Sequence, residues 1–93
     1  MKELRHCIIQ GYNVFDLISQ GIKEYPEEGS IEYENENLMK IRLNELKGNV
    51  IGVVKDSGLP EYYTILVPGN PDDITKAKKT LEKLTDLHLL NFI

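Results

Sequence analysis

Tryptophan is absent, cysteine occurs once and histidine twice in these 93 residues, and no apolar run is longer than a strand. With Cys7 alone, no internal disulfide can form, and a reducing compartment follows as the expectation. His6, His88 and Cys7 have no metal-ligand spacing, so no metal is expected. His6 and Cys7 are neighbours, and adjacent strand residues point to opposite faces; Cys7 therefore reads as a small core hydrophobe rather than an activated nucleophile. The chain lacks both GxGxxG and GxxxxGK[ST], the glycine-rich loops that cradle nucleotides, and no cofactor is expected. Gly69-Asn70-Pro71 does precede a helix start, but Asp72 and Asp73 already place negative charge there, which disfavours phosphate. Near the beginning the only apolar run is Cys7-Ile8-Ile9, and the longest elsewhere is Val50 to Val54. Both are too short for a membrane span or a signal-peptide core, so the expectation is a cytoplasmic protein with no membrane partner.

Positive charge is also in deficit: 11 Lys and Arg stand against 15 Asp and Glu, for a net charge of −4 and a pI near 5.1. That balance disfavours general nucleic-acid binding, which draws on a basic excess. What is present, 41% hydrophobic and 28% charged residues, is ordinary for one small globular domain. A chain of this size hides roughly 60 to 65% of its unfolded surface, a modest core that oligomerisation would reinforce. Richness in Ile, Asn, Lys and Glu is the composition of an AT-rich genome, such as that of a low-GC bacterium or its phage.

The apolar residues set the elements. Val14, Leu17, Ile18, Ile22 and Tyr25 recur at helical intervals and predict a helix over 14–25, with Asn13 as its cap, Asp16 in its first turn and Pro26 as its stop. Before it, a short strand over 6–10 ending at Gly11 is preferred to a longer helix running through that glycine. From Ile31 to Leu43 alternate positions are apolar, the strand period. A single strand of that length would span roughly 40 Å at about 3.3 Å per residue, so a turn at Asn35-Glu36-Asn37 is expected. A three-residue loop there pairs Ile31 with Ile41, Tyr33 with Met39 and Glu32 with Lys40, with Asn37 in the left-handed position.

Lys47-Gly48-Asn49 marks a second turn, Val50 to Val54 a strand buried on both sides, 56–60 a third turn and Tyr62 to Val67 the next strand. Pro71, Asp72 and Asp73 open a helix that turns Ile74, Ala77, Leu81 and Leu84 to one side. The tail Leu87 to Ile93 is read as an edge strand in preference to a helix extension. The expected class is α+β: an antiparallel meander of about four to five strands with two helices packed on it, one near each end of the chain.

Lys76, Lys79 and Lys83 share one side of the second helix, and the order helix, strands, helix from 13 to 85 is similar to that of double-stranded RNA-binding domains. The resemblance implies a basic patch at the start of the last helix, where this chain has Asp72 and Asp73; RNA binding is the weakest of the readings carried forward.

The strongest lead is acidic. Glu24, Glu27, Glu28, Glu32, Glu34 and Glu36 fall between Lys23 and Lys40 with no basic residue among them. Glu32, Glu34 and Glu36 alternate with Ile31, Tyr33 and Asn35, which in a strand sets carboxylates about every 6.6 Å along one face. The plain alternative is a solvated edge whose charges prevent strand-to-strand aggregation. The functional expectation is a non-enzymatic binding protein that engages a basic surface of a protein partner through Glu27, Glu28, Glu32, Tyr33, Glu34 and Glu36, as an inhibitor or regulator of a nucleic-acid-handling protein would. Its rival is a homodimeric structural module associating through a sheet edge, either Tyr62 to Val67 or the tail. No catalytic residue is expected, for the chain offers no poised nucleophile and no carboxylate pair at a recognisable spacing.

Overall fold

A computed structural model describes residues 4–85 and 91–92. Strand β1 (Leu4–Gln10) leads into α1 (Val14–Glu24), followed by β2 (Gly29–Glu34), β3 (Leu38–Leu43), β4 (Val50–Lys55) and β5 (Tyr62–Pro68), then α2 (Pro71–Thr85) and the two-residue β6 (Asn91–Phe92). A single 3-10 turn, Asn44–Leu46, sits between β3 and β4. The class is α+β, as the periodicity implies. All pairings are antiparallel, in the order β2-β3-β4-β5-β1-β6.

The two helices lie on one face of this sheet, because each carries one apolar stripe and the strands supply a matching row. Across β3, β4, β5 and β1 the register aligns Met39, Val53, Ile65 and Cys7, and beside them Ile41 with Ile51 and Tyr63 with Ile9; all are buried. From above come Val14 and Ile18 of α1, Ala77, Leu81 and Leu84 of α2, and Leu46 of the 3-10 turn. Ile74, expected on the same stripe, is half-buried at its margin. Each fully buried Ile or Leu contributes about 1.5 to 3 kcal/mol of transfer free energy, so this layer is the main source of stability. The Phe15 ring meets Tyr63 edge-on at 5.4 Å, a favoured arrangement of ring quadrupoles. Where the helices meet, Gly21 lets α1 approach the Leu84 carbonyl so closely that a Cβ would stand 2.0 Å from its oxygen.

Several local expectations are corrected. Asn13 precedes α1 in the left-handed conformation (φ 54°) and its side chain does not cap the helix; its carbonyl instead accepts the first helical bond from the Leu17 amide at 3.0 Å. The β2–β3 loop is Asn35 to Asn37, as expected, but Asn37 is not left-handed. Instead the Asn35 side-chain oxygen accepts from the amides of both Asn37 and Leu38 at 2.8 Å, so a side chain closes the turn in place of a positive φ. Left-handed backbone appears at Lys47 (φ 55°) and Gly48 (φ 78°), in the turn after β3. Strand β4 is central in the sheet yet buried on one side only: Ile51 and Val53 face the helices, while Val50, Gly52 and Val54 face the uncovered side.

Strand β5 lies between β4 and β1, so Tyr62 to Val67 is no edge. Of the tail, Asn91 and Phe92 pair with Gln10 and Ile9 as an edge strand; His88 and the rest of 86–90 lie outside the described residues. No helix among the described residues is long and apolar enough to cross a membrane.

Candidate functional site

The acidic segment runs from the end of α1 through the β2–β3 hairpin, and local structure decides where each carboxylate points. Pro26 forces Tyr25 out of helical geometry (φ −125°, ψ 65°), and the chain turns through Glu27 and Glu28 into β2. This turn is tied down by Asn44, whose amide donates to the Glu28 carbonyl at 3.0 Å and whose side chain donates to the Glu27 carbonyl. Ile31 pairs with Ile41 as the hydrophobic pattern requires, but the next pairs are Tyr33 with Lys40 and Glu34 with Met39. Glu32 is therefore the extra residue of a β-bulge, and every side chain beyond it is shifted to the opposite face.

The bulge overturns the expected row of carboxylates. Glu32 and Tyr33 now share the uncovered face with Lys40 and Arg42, whereas Glu34 ends the Met39 row on the helix-bearing side. Glu36 projects from the loop. Two of the six glutamates are also neutralised within the molecule. The Glu32 carboxylate accepts from Arg42 Nε at 2.5 Å, while the same guanidinium donates to the Gly48 carbonyl through Nη1. The Glu28 carboxylate accepts from Lys83 Nζ at 2.5 Å, and Lys83 also lies 5.5 Å from the centre of the Tyr25 ring. Hydrogen bonding to Glu28, and then its charge, raises the Lys83 pKa above its ordinary 10.5.

Glu27 feels the charge of Lys83 as well, so exposed carboxylates of this segment without a cationic partner among the described residues remain at Glu24, below the hairpin, and at Glu34 and Glu36, at its tip. Tyr33 stands between these groups, 49% exposed, with Lys40 Nζ 6.0 Å from its ring centre and its hydroxyl accepting from the Asn35 side-chain amide at 2.9 Å. Tip geometry is thus fixed by Asn35 on both sides.

The α2 lysines are divided. Lys76, Lys79 and Lys83 line a shallow groove shared with Glu28 and Glu45, so acidic side chains stand among the bases along that face. Cys7 is buried, and burial pushes its thiol above the ordinary 9.0 while Lys78 pulls it part of the way back. No group of three or more His, Cys, Asp or Glu among the described residues is placed to hold a metal ion.

Periodicity alone did not single out the uncovered sheet face. Leu38, Val50, Val54, Leu66 and Pro68 line a shallow apolar depression centred on Gly52, and Ile8 lies beside it at 40% exposure. Its signal in the sequence is a glycine in the middle of a β-branched run. No protein-family model, curated protein or solved structure matches this chain.

Proposed function

We propose that this chain is a small non-enzymatic binding protein that lays the tip of its β2–β3 hairpin against a basic surface of a protein partner, and so inhibits or regulates it. The observation that carries this reading is the division among the glutamates. Glu28 and Glu32 are held by Lys83 and Arg42 and brace the hairpin, while Glu34 and Glu36 stand exposed at its end with no cation of their own among the described residues. Charges left uncompensated on a braced projection attract an opposite surface without first having to be released from an internal pair. Tyr33 adds the aromatic contact that interface centres favour.

The test is affinity capture from a host lysate by wild-type protein and by the Glu34→Lys/Glu36→Lys double variant, at low and high salt. A protein retained by the wild type, released by salt and not retained by the folded double variant supports the reading. Capture indifferent to ionic strength from about one-third to three times physiological rejects it, because a Debye length near 8 Å must screen exposed charges.

A further inference from the structure

Among the described residues both helices cover one face of the sheet, and the other is left with a largely apolar centre. In register across β3, β4, β5 and β1, one row of that face reads Lys40, Gly52, Leu66, His6 and the next reads Leu38, Val54, Thr64, Ile8. Lys40 and His6 fall at the margins, Thr64 lies between Val54 and Ile8, and Gly52 and Leu66 adjoin at the middle.

Gly52 is the informative residue. Glycine weakens a central strand, and in one it often marks close approach by another molecule. Among the described residues nothing calls for it: its φ is not left-handed, and the nearest atoms to an added Cβ would be Leu66 Cβ at 3.8 Å and Leu38 Cδ1 and Leu66 Cδ1 at 3.9 Å, all ordinary contacts. An alanine methyl would fit the monomer. What it would fill is the floor of the depression that Leu38, Val50, Val54 and Leu66 surround.

We infer that this face is the interface of a two-fold homodimer, in which Leu66 of each copy seats over Gly52 of the other. The argument for a second copy, rather than another partner, is that hole and knob are neighbours in one row. A two-fold axis lying between β4 and β5 and running along them exchanges those strands, so that each Leu66 faces the partner's Gly52 at the same level. The same operation sets Leu38 opposite the partner's Ile8 and Val50 opposite the partner's Pro68, apolar on apolar, with Val54 opposite the partner's Thr64 and Lys40 opposite the partner's His6 at the margin. The contact spans β3, β4, β5 and β1. Four strands of six or seven residues, at about 4.8 Å between strands and 3.3 Å per residue, give roughly 400 Å² in projection per copy. Two copies therefore cover about 800 Å², the size of a weak, concentration-dependent association, in the face-to-face manner of stacked sheets. The hairpin tip stays outside this contact, so the dimer and the acidic surface stand or fall separately.

Sedimentation equilibrium and light scattering test it on the full chain, with Gly52→Val, Leu66→Lys and Glu34→Lys/Glu36→Lys as variants. Wild type and the glutamate variant are expected at twice the 10.7 kDa chain mass, and Gly52→Val and Leu66→Lys at the chain mass itself. The Gly52→Val monomer should keep native circular dichroism and unfold at no lower urea than wild type diluted to monomer. A wild type that stays monomeric up to about 1 mM overturns the inference. So does a dimer that survives either face substitution. If Gly52→Val fails to fold, Leu66→Lys decides.

Discussion

Lys83, near the end of α2, donates to the carboxylate of Glu28, 55 residues earlier in the chain, and lies over the ring of Tyr25. The contact closes the turn between α1 and β2 onto the second helix, and so anchors the base of the hairpin that carries the free carboxylates.

Its pH dependence has a definite sign. Folding raises the Lys83 pKa above 10.5, so the folded chain holds that proton more tightly than the unfolded one. The contribution is complete below the unfolded value and is lost as pH rises through the raised one. The difference in urea midpoint between wild type and Lys83→Met should therefore be constant from about pH 7 to 9 and shrink above 10.5. A difference that grows in alkali would refute the assignment.

Gly21→Ala tests the helix crossing. Its Cβ would fall 2.0 Å from a backbone oxygen and 2.6 Å from the carbonyl carbon of Leu84, neither of which can swing aside as a flexible side chain would. Overpacking of this kind costs about 1 to 3 kcal/mol or more, measured by urea unfolding, although alanine is the better helix former. An unchanged midpoint would mean that the helices separate freely there.

Asn35→Ala removes the acceptor for two loop amides and the donor to the Tyr33 hydroxyl. Loss of about 1 kcal/mol is expected, since the exposed amides can turn to water. The more telling readout is hydrogen exchange, which should rise at Asn37 and Leu38 and leave β4 and β5 unchanged.

Cys7 should be inert to a thiol reagent in the native state and react only as the chain unfolds in urea, because its sulfur is buried and held neutral. Cys7→Ser would set a hydroxyl in the row of Met39, Val53 and Ile65, at a cost of about 1 to 3 kcal/mol. Rapid labelling of folded protein would contradict the placement of β1.

Much of this architecture is legible from periodicity. Val14, Ile18 and Ala77, Leu81, Leu84 mark the buried helical stripes, and Pro26 and Gly11 end the elements they were expected to end. The hairpin loop and the Ile31–Ile41 pair follow from the need to keep apolar residues on one side. The bulge does not, because Ile31-Glu32-Tyr33-Glu34 alternates as well with an extra residue as without one. Only the partner strand, with Arg42 placed to take Glu32 and Lys40 to lie by Tyr33, reveals which side each side chain takes. The Lys83–Glu28 contact was likewise hidden, since nothing local relates α2 to the turn before β2. One-sided burial of β4 is hidden for a third reason: a β-branched run reads the same whether its outer face meets a helix or is left open.

Strand β1 is synthesised before the meander, yet it is wedged between β5 and β6 and takes its whole register from β5. Neighbours β2 to β5 join through short loops and can zip in order, whereas β1 must wait for a large loop of chain to close. Until then β5 offers an open ladder of amides and carbonyls that a stray β1 from another molecule would fit equally well. Exchange of that first strand between chains is thus the characteristic folding error built into this topology, and dilution its natural remedy.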